Sequence, residues 1–340
     1  MSEFTPDLVH TKLLEHKPLL AFCEKRDFAE WKTALKDKLT ELIGDMPGGE
    51  AFGFELISVE DCGGYDKKRF VFYSEQYVKV PAYLLVPHGK EGKIPVVICL
   101  QGHSTGMHIS LGEKKFDGDE TLIASGDRDF ALQAVAQGYC ALVIEQRCFA
   151  ERSTDRTEDF GYRCFFPSAS ALLVGRTMIG ERVLDVMRAI DALHNFPEAD
   201  TDKIACMGNS GGGTVSFYAA CMDERIKIAM PSCSVCTFRH SIGAVYHCIC
   251  NYIPGIAKYM DMGDMAALIA PRPLVVVAGA KDEIFPIEGV KESFSTIEKI
   301  YVAAGKSDRC RLVIGEEGHR FYAVQAWEAF RSMTEKELGW

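Results

Sequence analysis

The sequence lacks the features that would direct it to a membrane or to a nucleic acid. No stretch approaches the roughly 20 consecutive apolar residues that a membrane-spanning helix needs. Residues 1–12 show no basic segment followed by an apolar run, so we expect no signal peptide. Charges of both signs are mixed along the chain and sum to −10, which excludes a basic nucleic-acid footprint. We expect a cytoplasmic protein that acts on a neutral or weakly polar small molecule.

Internal repeats and low-complexity tracts are also missing, and the composition is that of a folded globular protein. Of the 340 residues, 47% are hydrophobic and 25% are charged, which is enough to form a substantial core. This length favours one decorated domain over two. The thirteen cysteines are an odd number in a chain without an export signal, so we expect reduced thiols.

Two different elements open the chain. Apolar residues at helical spacing from Phe28 to Leu42 predict an amphipathic helix that ends at Gly44. We assign residues 1–50 to an amino-terminal helical extension, which could cap a pocket or join two copies in a homo-oligomer. Residues 52–59 and 68–86 then predict two strands of an antiparallel sheet edge.

From residue 95 onward, short apolar runs alternate with segments of helical periodicity. Continuous apolar runs of this kind are typical of a parallel sheet covered on both faces. We therefore predict a doubly wound, mostly parallel α/β catalytic domain over residues 51–340, with strands at 96–100, 141–144, 204–207, 226–230, 274–278 and 311–314. Two insertions, at about 146–168 and 232–264, follow strands at the sheet edge where ligands bind, so they are candidate pocket walls or lids.

The most informative stretch surrounds Ser210. Gly-Asn-Ser-Gly-Gly, residues 208–212, stands between a predicted strand and a predicted helix at 214–221. This is the context of the G-x-S-x-G elbow, in which a serine in a tight turn is exposed as a nucleophile. The backbone N–H of Gly211, at the helix start, can hold an oxyanion. The alternatives are a phosphate-binding turn or a purely structural turn.

A serine nucleophile needs a base and an acid that orients the base. His319 follows the last predicted strand, so it is the candidate base. Asp282 follows the strand at 274–278 and is the candidate acid, and the order serine, acid, histidine fits this chemistry. The alternatives are a surface or helix-capping role for the histidine, and acids at Glu283, Asp261 or Asp264.

A second oxyanion donor is expected after the strand at 96–100. The segment Gln101-Gly102-His103-Ser104 occupies the place where a glycine-bearing loop completes an oxyanion hole. His103 or Ser104 is the expected backbone donor. The alternative is an ordinary strand-to-helix turn.

Other polar and aromatic residues allow two interpretations each. Arg147 could bind substrate, but we favour a structural ion pair. Phe166 and Tyr246 in the insertions could line the substrate pocket or form a small core. Cys233, Cys236 and the histidines and cysteines that follow up to Cys250 have some zinc-ligand spacing. Reduced, buried thiols are the favoured state, so we expect no metal site.

With these segments in place, residues 52–340 resemble the α/β-hydrolase superfamily, in particular its acetyl xylan esterase-like and dienelactone-hydrolase-like proteins. The matching segments are 100–103, 145–147, 207–213, 270–274, Asp282 with Pro286, and 318–321. Acetyl xylan esterases of the best-known type carry glutamine where this chain has Gly211, and dienelactone hydrolases proper use cysteine where it has Ser210. The resemblance implies a serine hydrolase of small carboxylic esters, such as acetyl esters of carbohydrates, that needs no cofactor. A peptidase, a C–C bond hydrolase or a catalytically silent binding protein is the alternative.

Overall fold

The computed structural model describes residues 4–159 and 162–340. Within them, nine strands form one sheet in the order β1-β2-β3-β5-β4-β6-β7-β8-β9. The strands are β1 Phe52–Asp61, β2 Tyr65–Glu75, β3 Val78–Pro87, β4 Ile94–Leu100, β5 Cys140–Ile144, β6 Ala199–Asn209, β7 Ile226–Ser232, β8 Leu274–Gly279 and β9 Cys310–Gly315. The first three are antiparallel, and β4 to β9 pair in parallel. The predicted mostly parallel α/β sheet is confirmed.

Helices cover both faces of this sheet. They are α1 Asp7–Leu14, α2 Phe28–Ile43, α3 Asp119–Gly126, α4 Phe130–Ala136, α5 Phe165–Leu173, α6 Met178–Ala192, α7 Gly211–Met222, α8 Ile256–Tyr259, α9 Met262–Met265, α10 Ile287–Ala303 and α11 Ala323–Met333. Buried side chains of α2, α6, α7 and α10 share one apolar core with the sheet, and those of α4 and α11 share a second core on the other face. Side chains alternate between the two faces along each strand, so the strands contribute residues to both cores.

The amino-terminal helix packs on the first core. Asp27 caps α2 by accepting a hydrogen bond from the backbone N–H of Glu30. Trp31, Leu35 and Ile43 are buried in the core that this helix shares with the sheet. The extension therefore shares its core with the catalytic domain, and the division at residue 50 stays a prediction.

The strand predicted over residues 68–86 is in fact two strands, so that prediction was wrong in one detail. Glu75 and Val78 are paired across a tight turn in which Tyr77 has a φ of +71°. Gln76 and Tyr77 are not the glycine, asparagine or aspartate that usually mark such turns, so this turn has no local sequence signal.

The sheet has a topological switch at β4. The chain leaves β4 for β5 on one side, whereas β6 lies on the other side of β4. Such a switch opens a crevice at the carboxyl ends of the two strands, and ligands bind there. His103 and Ser210 follow β4 and β6 at this edge.

Two predictions extend beyond the described residues. Residues 160 and 161, inside the insertion predicted at 146–168, lie outside them, as do the first three residues of the extension. Among the helices that are described, none has the length and apolar character needed to cross a bilayer.

Candidate active site

Ser210 occupies a sharp turn between β6 and α7. Its φ of +57° and ψ of −125° lie in a region that non-glycine residues rarely adopt. The turn is fixed because the N–H of Ser210 donates a 2.9 Å hydrogen bond to the carbonyl of Ser232 at the end of β7. Backbone strain of this kind is concentrated at functional sites. The geometry is that of the predicted nucleophile elbow.

Glycines on either side make this turn possible. A Cβ at position 212 would lie 2.1 Å from the carbonyl oxygen of Leu100, and one at position 208 would lie 2.5 Å from the carbonyl carbon of Gly212. Side chains at these positions would force β6, α7 and β4 apart. The small residues of the motif therefore let the strand and helix approach closely enough to hold Ser210 at the edge.

His319 and Asp282 form a hydrogen-bonded pair, although 37 positions separate them in the sequence. Nδ1 of His319 lies 2.8 Å from Oδ2 of Asp282. The other carboxylate oxygen accepts hydrogen bonds from the N–H groups of Ile284 and Phe285, at 2.8 and 3.0 Å. The Phe285 ring stacks on the imidazole, with 14° between the planes. Both side chains are thus fixed from several directions.

The electrostatics favour a charged carboxylate beside the imidazole. Burial alone would raise the pKa of Asp282, but the hydrogen bond and charge of His319 and two backbone N–H groups outweigh burial and lower the pKa. Cys233 lies beside this pair, and burial raises the pKa of its thiol to about 12. Burial therefore favours the neutral thiol form of Cys233.

Ser210 and His319 line the same cavity, which has a volume of about 330 Å³. Asp282 lies behind His319 and is buried. The structure thus places Ser210, His319 and Asp282, the three residues predicted from the sequence, at one site. Such an arrangement can transfer a proton from a serine hydroxyl to an imidazole that a carboxylate orients. The other residues that line the cavity are His103, Arg128, Cys164, Gly211, Tyr246, His247, Cys248, Asn251, Ile284 and Phe285.

The loop after β4 packs directly on the elbow. A Cβ on Gly102 would lie 2.8 Å from Cβ of Ser210, and one on Gly211 would lie 3.1 Å from Nδ1 of His103. Of the two predicted oxyanion donors, His103 lines the cavity. Ser104 is buried and is not among the described residues that line it. His103 is therefore the better-placed donor to complement Gly211.

Comparison with known proteins agrees with this geometry. Residues 4–309 match the model of the Abhydrolase family. The chain belongs to this family. It is also 27% identical over 300 residues to Putative hydrolase YtaP of Bacillus subtilis (strain 168), an alignment that covers 87% of this chain and 96% of that protein. The predicted relationship to α/β hydrolases is confirmed.

Solved structures show the same fold in carbohydrate esterases. A putative acetyl xylan esterase from Bacteroides fragilis NCTC 9343 superposes with a TM-score of 0.79 at 18% identity, covering 98% of this chain and 90% of its own. A glucuronoyl esterase from Solibacter usitatus gives a TM-score of 0.71 at 15% identity, with coverages of 94% and 97%. At these identities the likeness establishes the fold. The resemblance to dienelactone hydrolases stays a prediction.

In this Abhydrolase family member, Arg147 is engaged by carboxylates. Its guanidinium donates to Asp185 twice at 3.0 Å, to Glu181 at 2.8 Å and to Glu75 at 2.7 Å. Asp185 is fully buried and also accepts from Arg152. These contacts are those of the structural ion pair that the sequence favoured, and they occupy the guanidinium that the alternative would use to bind substrate. Its network ties β2 and the first insertion to α6.

The two aromatic residues proposed for substrate binding have different positions. Tyr246 lines the Ser210 cavity and is 89% exposed, so its ring can contact a bound ligand. Phe166 instead packs edge to face against Phe165 in α5 and is not among the described lining residues. Phe166 is half-buried and Phe165 is exposed, so this aromatic pair lies at the surface of the insertion.

Sequence reasoning missed Arg128, which lines the same cavity as Ser210. Its side chain is only 7% exposed, and its Nε has no hydrogen-bond partner in the part of the chain that the structure describes. Burial lowers the pKa of its guanidinium, and no carboxylate among the described residues forms an ion pair with it. Its segment, Gly-Asp-Arg-Asp, reads as an ordinary charged loop, so the sequence carried no signal for this position.

The cysteines and histidines that lie close together are not the set whose spacing in the sequence resembles zinc ligands. Cys236 donates to the carbonyl of Pro286 at 3.6 Å and is not in the group of potential metal ligands that contains Cys250. Cys248 and Cys250 instead lie with Cys164 and His103, and the potential ligand atoms of these four residues are all within 4.8 Å of one another. This set could hold a metal ion in the wall of the Ser210 cavity.

Proposed function

We propose that this chain is a serine hydrolase that cleaves small carboxylic esters through an acyl-enzyme on Ser210. One observation carries the proposal. The elbow serine and an imidazole that is hydrogen-bonded to buried Asp282 line a single cavity. Membership of the Abhydrolase family agrees with this chemistry.

Each side chain has a defined part in the reaction. Oγ of Ser210 attacks the ester carbonyl while Nε2 of His319 takes the hydroxyl proton, because Nδ1 is held by Asp282. The imidazolium then gives this proton to the departing alcohol. Water attacks the acyl-enzyme with His319 again as base, which releases the acid and restores Ser210.

The developing oxyanion is stabilised by backbone N–H groups. The N–H of Gly211 has no acceptor within α7 because it belongs to the first turn of that helix. His103 supplies the second N–H from the loop that packs on the elbow. Loss of one such donor typically costs about 10²–10³ in kcat.

The cavity favours a small substrate with polar groups. Its volume of about 330 Å³ is near the lower end of ligand pockets, and Arg128 places a guanidinium in its wall. Structures of the same fold include a putative acetyl xylan esterase and a glucuronoyl esterase. Acetyl esters of carbohydrates are therefore the favoured substrates. Esters with a carboxylate are the second candidate, because Arg128 offers them a charged partner.

Turnover of a substrate panel tests the proposal. The panel contains p-nitrophenyl acetate, longer p-nitrophenyl esters, acetylated xylo-oligosaccharides, methyl glucuronate, a peptide anilide and a diketone. We expect hydrolysis of short esters, with loss in Ser210→Ala and full retention in Ser216→Ala, whose hydroxyl in α7 donates to the carbonyl of Gly213. Cleavage of the anilide or diketone alone would refute ester hydrolysis, and no turnover of any compound would favour a silent binding protein.

Arg128 allows the two substrate classes to be distinguished. If its guanidinium binds a carboxylate on the substrate, Arg128→Gln lowers kcat/KM for a carboxylate-bearing ester about 10- to 100-fold, the range of a charge-assisted hydrogen bond. Neutral acetyl esters then lose much less. Equal losses for both substrates would exclude a role in recognising charge.

A further inference from the structure

Three segments that are far apart in the sequence meet at one cluster of sulfur and nitrogen atoms. His103 comes from the loop after β4, Cys164 from the first insertion, and Cys248 and Cys250 from the second insertion. Nε2 of His103 lies 3.2 Å from Sγ of Cys250 and 3.9 Å from Sγ of Cys164. All four atoms are within 4.8 Å of one another.

These separations are those of a tetrahedral metal site. Zinc binds thiolates at about 2.3 Å and imidazole nitrogen at about 2.0–2.1 Å, so tetrahedral geometry puts ligand sulfurs about 3.8 Å apart and sulfur about 3.6 Å from nitrogen. The two observed sulfur-to-nitrogen distances bracket this value. Three cysteines and one histidine are also a common ligand set of structural zinc sites.

Arg182 provides an independent observation. This guanidinium is 1% exposed and packs over the ring of Phe149, and no carboxylate in the described parts of the chain pairs with it. It donates to Sγ of Cys250 at 3.3 Å and to Sγ of Cys164 at 3.6 Å. It also donates to the backbone carbonyl of Arg147 at 2.8 and 3.2 Å. A buried cation is further stabilised by an anionic partner, and cysteines that lose their protons on binding a metal would supply one.

A zinc complex accounts for the charges. Three thiolates and Zn²⁺ carry a net charge of −1, which the guanidinium of Arg182 neutralises. Hydrogen bonds from such a cation to the ligand sulfurs are the outer-shell contacts that metal sites use to orient their ligands. Without a metal, several thiolates this close together would repel one another.

We propose that His103, Cys164, Cys248 and Cys250 bind one zinc ion, and that Arg182 neutralises the complex. Binding releases the three thiol protons to solvent, and Nε2 of His103 binds as a neutral donor. Four protein ligands leave no open position, so the ion is structural and activates no water. It fastens both insertions to the loop that carries the oxyanion donor. The proposal goes beyond ester hydrolysis and does not depend on it.

Metal content of the full-length protein tests the site. We expect about one zinc per chain in protein purified without chelators, measured by inductively coupled plasma mass spectrometry. Replacement of zinc by Co²⁺ in the wild-type chain is expected to give the intense visible bands of tetrahedral cobalt and thiolate-to-cobalt charge-transfer bands. These readouts use the unmodified sequence, so they do not depend on whether a variant folds.

Variants locate the ion. Cys164→Ser and Cys250→Ser are expected to lose the zinc and the cobalt charge-transfer bands. Cys236→Ser is the matched control, because this cysteine is buried in the same insertion but donates to a backbone carbonyl instead. It is expected to keep a full complement of zinc.

Three results would overturn the proposal. One is wild-type protein that contains no zinc and gives no tetrahedral cobalt spectrum after exposure to either metal. Another is equal loss of zinc in Cys236→Ser and in the cluster variants. The third is a disulfide between cluster cysteines, detected by mass spectrometry of peptides from unreduced protein, because oxidised sulfurs cannot bind the ion.

Discussion

The substitution Asp282→Asn tests how the imidazole is held. Oδ1 of Asp282 accepts hydrogen bonds from the N–H groups of Ile284 and Phe285, while Oδ2 faces Nδ1 of His319. An asparagine would keep its carbonyl oxygen on the two backbone donors, so its NH₂ group would face Nδ1. This nitrogen would then have to accept a hydrogen bond, and the proton would move to Nε2.

The wrong tautomer removes the base. With a proton already on Nε2, His319 cannot accept the proton of Ser210, and a comparable change in a serine protease lowers kcat about 10⁴-fold. A loss of this size corresponds to about 5 kcal/mol of transition-state stabilisation, at about 1.4 kcal/mol for each tenfold change. The assay is steady-state hydrolysis of p-nitrophenyl acetate, with kcat and KM determined separately and folding checked by thermal unfolding.

The neighbouring carboxylate supplies the control. Glu283 is exposed and is adjacent to Asp282 in the sequence, so Glu283→Gln removes the same charge one residue away. We expect its kcat to be unchanged. The reasoning fails if folded Asp282→Asn keeps kcat within about tenfold of wild type, or if Glu283→Gln loses as much activity.

Three further substitutions have expected outcomes. Burial raises the pKa of Glu145 to about 8 despite a bond from the Met107 N–H, so protonation favours the folded state and wild-type stability falls as pH rises from about 4.5 to about 8. Glu145→Gln removes this pH-dependent loss. The difference in free energy of unfolding between the variant and wild type, measured by urea titration, is therefore expected to shift in favour of the variant by about 2–4 kcal/mol between pH 4 and pH 9. Gly102→Ala places a Cβ against Ser210, so we expect the free energy of unfolding to fall by about 1–3 kcal/mol and kcat to decrease. The control is Gly48→Ala, whose Cβ meets open space, and it is expected to leave both quantities unchanged. Arg147→Ala removes one of the two arginines that pair with each of Asp185, Glu181 and Glu75, while Arg152 and Arg176 remain. We expect the free energy of unfolding to fall by about 1.5–3 kcal/mol and KM for acetyl esters to stay the same.

The fold was predictable because its signals are local. Continuous apolar runs identified the buried parallel strands, since both faces of such strands lie under helices. Gly208 and Gly212 flank Ser210 in a pattern that only a tight strand-to-helix turn requires, which identified the elbow. The chain order of Asp282 and His319 then limited the choice of acid and base.

Contacts between distant segments could not be predicted from the sequence, because the residues that form them follow no local pattern. Arg128 reaches the cavity through the fold of its loop, and its neighbours in the sequence resemble those of a solvent-exposed arginine. The partner of Cys250 is His103, 147 positions away, rather than the nearer Cys236. Arg147 was correctly suspected of pairing with carboxylates, but which carboxylates it contacts depends on the packing of α6 against β2.

Covalent labelling with a fluorophosphonate probe tests the central claim most directly, because such probes phosphonylate an activated serine. We expect wild-type protein to be labelled once, with the modified peptide containing Ser210, and Ser210→Ala to remain unlabelled. Labelling that persists in Ser210→Ala, or folded wild-type protein that never reacts, would contradict an activated serine at this position.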